Sequence, residues 1–99
     1  MNRRKLNKIK RDLDSLRSTT PKASDLERLA NRLGRKLVKR GRHPMWESEE
    51  FGNLYALSIP HHGSKDVLVG TKNSILDQLE DDIIAWEVRL DEEESEKGD

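Results

Sequence analysis

The chain has 99 residues, of which 32% are hydrophobic and 38% are charged, so it can form one small domain with a thin core. The absence of cysteine excludes disulfides and thiolate metal sites. No apolar run reaches the roughly 18–20 residues of a membrane span, and we expect a cytoplasmic protein. Residues 1–43 carry fifteen Lys and Arg against four Asp and Glu, whereas residues 77–99 carry two against eleven. This asymmetry favours a half that faces nucleic acid and an acidic tail.

The first predicted element is an amphipathic helix over residues 3–17. Its apolar residues recur at spacings of three and four, which places them on one face of the helix. They are Leu6, Ile9, Leu13 and Leu16. We assign residues 1–22 to a basic N-terminal extension whose helix packs on the domain. The alternative is a basic arm that contacts RNA through its lysines and arginines.

A second helix and three strands are predicted within residues 23–90, which we expect to form the domain proper. Ser24 is the expected N-cap, Glu27 completes a capping box with it, and Gly34 ends the helix. Alternating apolar residues then predict three strands, over residues 36–40, 44–48 and 54–59. The short connections between these strands favour an antiparallel meander.

The last predicted element is a helix that begins at Thr71. The pattern leaves open whether it ends near Ile84 or continues to Leu90. Residues 91–99 contain no apolar residue, so we expect a disordered acidic tail. The prediction is therefore an α+β fold, in which a three-stranded antiparallel sheet packs against two helices in the order α-β-β-β-α, with an extra N-terminal helix. Double-stranded-RNA-binding domains have the same layout.

A histidine at the end of a basic run is the candidate catalytic residue. Histidine suits proton transfer because its ordinary pKa of about 6.5 lies near working pH, and His43 is placed to act as a general acid or base on RNA. Lys39, Arg40 and Arg42 would hold the phosphate beside it. Their positive charge would favour the neutral imidazole that a base needs. The alternative is a surface histidine at the start of a strand.

Further candidate RNA contacts follow the third predicted strand. Adjacent residues of a strand point to opposite faces, so His61 and His62 are unsuited to share a metal ion, and we expect no metal and no other cofactor. We expect one of them to contact RNA or cap the strand and the other to pack. Lys65 and Lys72 are also expected to contact RNA. Lys72 follows a helix start whose free N–H groups suit a phosphate, although a simple N-cap is the alternative.

Two blocks of this sequence resemble the HicA-type toxins of bacterial toxin–antitoxin pairs. They are Ile59-Pro60-His61-His62-Gly63-Ser64-Lys65 and Gly70-Thr71-Lys72-Asn73-Ser74-Ile75-Leu76, within a similar segment that covers Ser24–Leu79. The family has Gly-Ser-His-His at an earlier strand junction, where this chain has Gly41-Arg42-His43-Pro44. The resemblance implies a metal-independent mRNA endoribonuclease whose active histidine falls on His43. It also implies a HicB-like antitoxin as partner and leaves room for a homo-oligomer formed through the antitoxin complex.

Arg42 and Pro44 depart from the family motif, so two other classes of function stay open. A non-catalytic RNA-binding module on the same fold predicts salt-sensitive RNA binding without growth arrest. A protein–protein module would instead recruit its partner through the N-terminal helix and the acidic tail. Trp46 and Tyr55 are expected in the core, with stacking on a base as the alternative for Tyr55.

Overall fold

The computed structural model describes residues 1–40, 43–60 and 66–97 of the chain. The described residues form three helices and one β-hairpin: α1 over Arg3–Arg17, α2 over Ala23–Arg32, β1 over Arg35–Arg40, β2 over His43–Ser48 and α3 over Val69–Lys97. Buried apolar residues from all three helices and from residues 51–67 form one core. No helix in these described ranges is both long and apolar enough to cross a membrane.

Helix α1 is an integral part of this core. Asn2 caps it by accepting a hydrogen bond from the backbone N–H of Lys5 at 2.8 Å. Leu6, Ile9 and Leu13 are buried against the rest of the core, as the spacing of apolar residues predicts. The predicted packing of this helix is therefore confirmed, and α1 is not a free arm.

Helix α2 starts from a different cap than the one expected. The predicted cap at Ser24 is wrong, because the N-cap is Lys22, whose backbone N–H donates to Asp25 Oδ2 at 2.9 Å. Asp25 thus has the role predicted for Glu27. Gly34 ends the helix as expected, with a φ of 95° that L-residues rarely adopt. The chain turns there directly into β1.

The predicted three-stranded sheet is wrong, since the described residues form a sheet of only two antiparallel strands. Residues 54–59 make one isolated bridge, in which the backbone N–H groups of Trp46 and Leu57 donate to each other's carbonyls at 2.7 and 2.8 Å. The next hydrogen-bonded pairs would join residue 44 to 59 and residue 48 to 55. Pro44 has no N–H to donate, and the carbonyl of Tyr55 accepts from Arg35 Nη1 at 3.0 Å. The ladder therefore stops after one bridge.

Helix α3 extends further than expected at both ends. It begins at Val69 rather than Thr71 and runs through to Lys97, across the predicted boundary between the domain and a disordered tail. Arg3 of α1 explains part of this extension, because its guanidinium bonds to Asp91 and to Glu94, the latter at 2.9 Å. Ion pairs thus replace the apolar contacts that residues 91–97 cannot make.

Candidate nucleic-acid interface

The strand register places the predicted catalytic histidine beside predicted phosphate-binding residues. Arg40 is paired with His43, and Lys39 with Pro44. Paired residues of antiparallel strands have Cα atoms about 4.5–5.5 Å apart. The structure describes the backbone of Lys39, Arg40 and His43 but not their side chains, and Arg42 lies outside the described residues. Their roles therefore stay predictions.

The bridge between Trp46 and Leu57 sets the direction of the chain that leads to the other two histidines. Because this bridge is antiparallel, residues 58–60 continue toward the end of β2 at which His43 lies. Leu57 and Ile59 are buried, which fixes this segment on the core. His61, His62 and Lys65 lie outside the described residues. Residues 58–60, which precede the histidine pair, nevertheless run toward the end of the hairpin at which His43 lies.

A buried ion pair holds the hairpin on the rest of the fold. Arg35 and Asp82 are each 1% exposed, and the guanidinium donates to both carboxylate oxygens, from Nε at 2.7 Å and from Nη2 at 2.8 Å. Arg35 Nη1 also donates to the carbonyls of Trp46, at 2.8 Å, and Tyr55, at 3.0 Å. One side chain therefore connects β1, β2, the bridged segment and α3. Arg35 therefore fixes the hairpin on α3 from the end opposite to His43.

Burial raises the pKa of the Asp82 carboxyl, while the hydrogen bonds from Arg35 lower it and so oppose the effect of burial. Sequence reasoning missed both residues. The signal was an acidic residue within the apolar stripe of α3, since Asp82 lies three residues after Leu79 and four before Trp86. An acid at such a position needs a buried cation.

Lys72 lies at a structural junction. It is 5% exposed, and its ammonium donates to the carbonyls of Arg17 at 2.7 Å and Thr19 at 2.9 Å, at the end of α1. The ammonium therefore has protein acceptors, which gives Lys72 a structural role in joining α3 to α1. Its predicted contact with RNA stays a prediction.

We expect Lys72→Met to lower the free energy of unfolding by about 1–3 kcal/mol, because two carbonyls lose a charged donor. Urea unfolding followed by circular dichroism measures this change. Lys8→Met is the matched control, since Lys8 is exposed, and its effect should stay within about 0.5 kcal/mol. Unchanged stability together with weaker RNA binding would instead assign Lys72 to RNA recognition.

The two aromatic residues predicted in the core differ in exposure. Trp46 packs partly buried against the core, as expected. Tyr55 is 88% exposed, so its predicted place in the core is wrong. The exposed ring is available for the alternative role, stacking on a base.

The charge asymmetry of the sequence is partly neutralised inside the fold. Three cations of α1 pair with carboxylates of α3, so the basic and acidic segments lie side by side. Besides the pairs of Arg3, Lys10 lies 3.7 Å from Glu87, and Arg17 bonds Asp77 at 3.0 Å and Glu80 at 2.8 Å. Net basic composition alone therefore overstates the surface that is free for nucleic acid.

A family model described as the HicA toxin of bacterial toxin–antitoxin pairs matches residues 23–80, which is more than half of the chain. The chain belongs to the HicA toxin family. It is therefore the toxin component of a toxin–antitoxin pair, its partner is an antitoxin, and HicA toxins are generally ribonucleases. Neither the curated proteins nor the solved structures gave a match to this HicA toxin, and the predicted likeness to double-stranded-RNA-binding domains is not confirmed.

The family match also divides the structure. It covers α2, the hairpin and the first part of α3, whereas α1 and the rest of α3 lie outside it. No group of three potential metal ligands occurs among the residues that the structure describes. The predicted site at the His43 end of the hairpin lies within the matched region, and the two outer helical segments lie outside it.

Proposed function

We propose that this HicA toxin is a metal-independent mRNA endoribonuclease in which His43 is the general acid/base. In this reaction the ribose 2′-oxygen attacks the adjacent phosphorus and the bond to the 5′-oxygen breaks. His43 accepts the proton of the 2′-hydroxyl, and the imidazolium or water returns a proton to the leaving 5′-oxygen. The products are a 2′,3′-cyclic phosphate and a 5′-hydroxyl. With mRNA as the substrate, we expect the reaction in the cytoplasm.

The direction of the chain at the Trp46–Leu57 bridge is the observation that carries this proposal. It leads residues 58–60 toward the end of β2 at which His43 lies, immediately before His61 and His62. Two sequence blocks that are separated in the chain are thereby directed to one end of the hairpin. A scissile phosphate needs several donors around it, which a single local motif does not provide.

Cations around this end of the hairpin are proposed to bind the RNA. Lys39 and Arg40 are the last two residues of β1, and Arg42 is next to His43 in the chain. Charge-assisted hydrogen bonds from such residues would stabilise the charge that develops on the phosphate. His61, His62 and Lys65 would contact the neighbouring nucleotides, and the exposed Tyr55 offers a stacking surface.

The antitoxin is proposed to be HicB-like and to cover the His43 end of the hairpin. Among the described residues β1 pairs only with β2, so its outer edge is open to another strand. Leu37, in the middle of β1, is 46% exposed. An antitoxin that adds a strand to this edge would bury Leu37 and block access to His43, and a homo-oligomer would form through that complex.

Metal-independent cleavage gives a direct test. Pure protein incubated with mRNA and excess EDTA should release fragments that end in a 2′,3′-cyclic phosphate. A matched RNA with one 2′-deoxynucleotide at a mapped cleavage position should resist cleavage there, because it lacks the nucleophile. Cleavage of the deoxy-substituted position, or cleavage that requires added Mg²⁺, would contradict the mechanism.

A non-catalytic RNA-binding module is the second candidate. The departures at Arg42 and Pro44 favour it, since both stand next to the proposed catalytic residue. It predicts RNA binding that weakens steeply with salt, together with no cleavage and no growth arrest on expression. Growth arrest that an antitoxin relieves would decide for the toxin nuclease.

A further inference from the structure

Helix α1 carries an exposed basic surface that faces away from the core. Five of its seven cations are exposed, and one of these, Lys10, pairs with Glu87 of α3. The other four are Arg4, Lys5, Lys8 and Arg11. Within the part of the chain that the structure describes, none of these four side chains forms an ion pair. Arg4, Lys8 and Arg11 are spaced by four and three residues, so they lie on one side of the helix. We call these four residues the outer α1 face.

The other cations of α1 have a different environment. Arg3, Lys10 and Arg17 recur at a spacing of seven, lie along the side of α1 next to α3, and pair with its carboxylates. The carboxylates of α3 therefore neutralise the positive charge on one side of α1 only, and the charge of the outer α1 face is not neutralised by them. Solubility alone does not require such sorting, because interspersed charges of both signs would serve it.

We propose that the outer α1 face binds the phosphate backbone of RNA. This site would lie outside the family-matched residues 23–80 and would add affinity to the contacts at the hairpin. The identification of the polyanion as RNA rests on the proposed function. Contacts of this kind to phosphates carry little sequence information, so the site would strengthen binding to all RNA sequences alike.

An anionic membrane surface fits α1 less well than RNA does. A helix that lies in a membrane interface inserts an apolar face into the lipid. The apolar residues Leu6, Ile9 and Leu13 are buried in the protein core instead. The exposed residues of α1 are all polar or charged, so this helix presents no apolar surface to a partner.

The test compares two variants of the full chain that remove equal charge. One carries Arg4→Gln, Lys8→Gln and Arg11→Gln, and the control carries Lys22→Gln, Arg28→Gln and Lys36→Gln. All six side chains are exposed, and glutamine has a helix propensity close to that of lysine and arginine. The ligand is a single-stranded RNA with 2′-O-methyl groups, which cannot be cleaved through the 2′-oxygen. Binding is measured between about 50 and 200 mM salt.

We expect the α1 variant to lower the slope of log Kd against log salt by about 2, at roughly 0.7 for each lost phosphate contact. The control should keep the slope of the wild-type chain. Equal slopes in all three proteins, or an equal drop in both variants, would overturn the proposal. Binding to anionic phosphatidylserine vesicles that depends on Arg4, Lys8 and Arg11, without binding to RNA, would also overturn it.

Cleavage assays separate this inference from the proposed function. If unmodified RNA is cleaved by the wild-type chain while the α1 variant keeps the wild-type salt slope, the nuclease proposal stands and the outer α1 face is not an RNA site. If RNA binds through the outer α1 face but is not cleaved, the inference stands and the nuclease proposal fails. Single-turnover rates at saturating protein should be equal in the wild-type chain and the α1 variant.

Discussion

His43→Ala is expected to lower the rate of RNA cleavage by about 10²–10⁴-fold, the usual contribution of a general acid or base. Alanine can keep the backbone pairing with Arg40 across the hairpin, but its side chain has no group that can accept the 2′ proton. Single-turnover cleavage of a short RNA at saturating protein measures the chemical step. Expression of the variant should also fail to arrest growth.

The control for this prediction is Lys36→Ala, which removes a cation from the other end of the same hairpin. Lys36 already pairs with Glu49 at 3.2 Å, and we expect cleavage near the wild-type rate. The thermal midpoint of His43→Ala should match that of the wild-type chain, which separates lost chemistry from lost fold. Equal cleavage by His43→Ala and the wild-type chain would remove His43 from the mechanism.

Local patterns predicted those parts of the fold that depend on neighbouring residues. The leucine and isoleucine spacing in residues 3–17 fixed α1, because helical periodicity and burial agree there. Both hairpin strands were also placed to within one residue. The register pairs Arg40 with His43, whereas the site that Lys39, Arg40 and Arg42 would form with His43 stays a prediction.

Features that depend on distant charged partners were not predicted. The predicted third strand does not form, because Pro44 lacks an N–H and because the carbonyl of Tyr55 accepts a hydrogen bond from Arg35 instead. The end of α3 is predicted to be disordered because residues 91–99 contain no apolar residue, whereas its partner Arg3 lies 91 residues from Glu94 in sequence. Hydrophobic periodicity contains no information about such pairs, since it treats every charged residue as exposed.

These two classes of feature meet at the candidate site. The hairpin is local, but its position depends on Arg35 and Asp82, which are 47 residues apart. Arg35 donates to the carbonyl of Trp46 on β2 and to the carbonyl of Tyr55 on the bridged segment. It therefore also supports the segment that leads to His61. A substitution at this buried pair is therefore expected to affect both stability and the geometry around His43.

Arg35→Met should destabilise the fold by about 3–5 kcal/mol, because it leaves the carboxylate of Asp82 buried without its cation. That is a large share of the roughly 5–15 kcal/mol expected for a chain of this length. Without Arg35 the pKa of Asp82 should rise further. When a carboxyl has a higher pKa in the folded than in the unfolded state, the free energy of unfolding decreases as pH increases. The deficit relative to the wild-type chain should therefore be smaller in acid and larger near neutral pH, as measured by urea unfolding at several pH values.

The double variant Arg35→Met with Asp82→Leu separates the charge from the hydrogen bonds. It removes the unpaired carboxylate, and we expect it to recover part of the lost stability and to lose the pH dependence of the single variant. Recovery should be incomplete, because the carbonyl of Tyr55 loses its hydrogen bond from Arg35 and the carbonyl of Trp46 keeps only the one from Leu57. If the single variant were as stable as the wild-type chain at neutral pH, the pair would not hold the hairpin in place.

The folded double variant also tests the site. The reduction in its rate of RNA cleavage, relative to the wild-type chain, measures how far the geometry around His43 depends on Arg35.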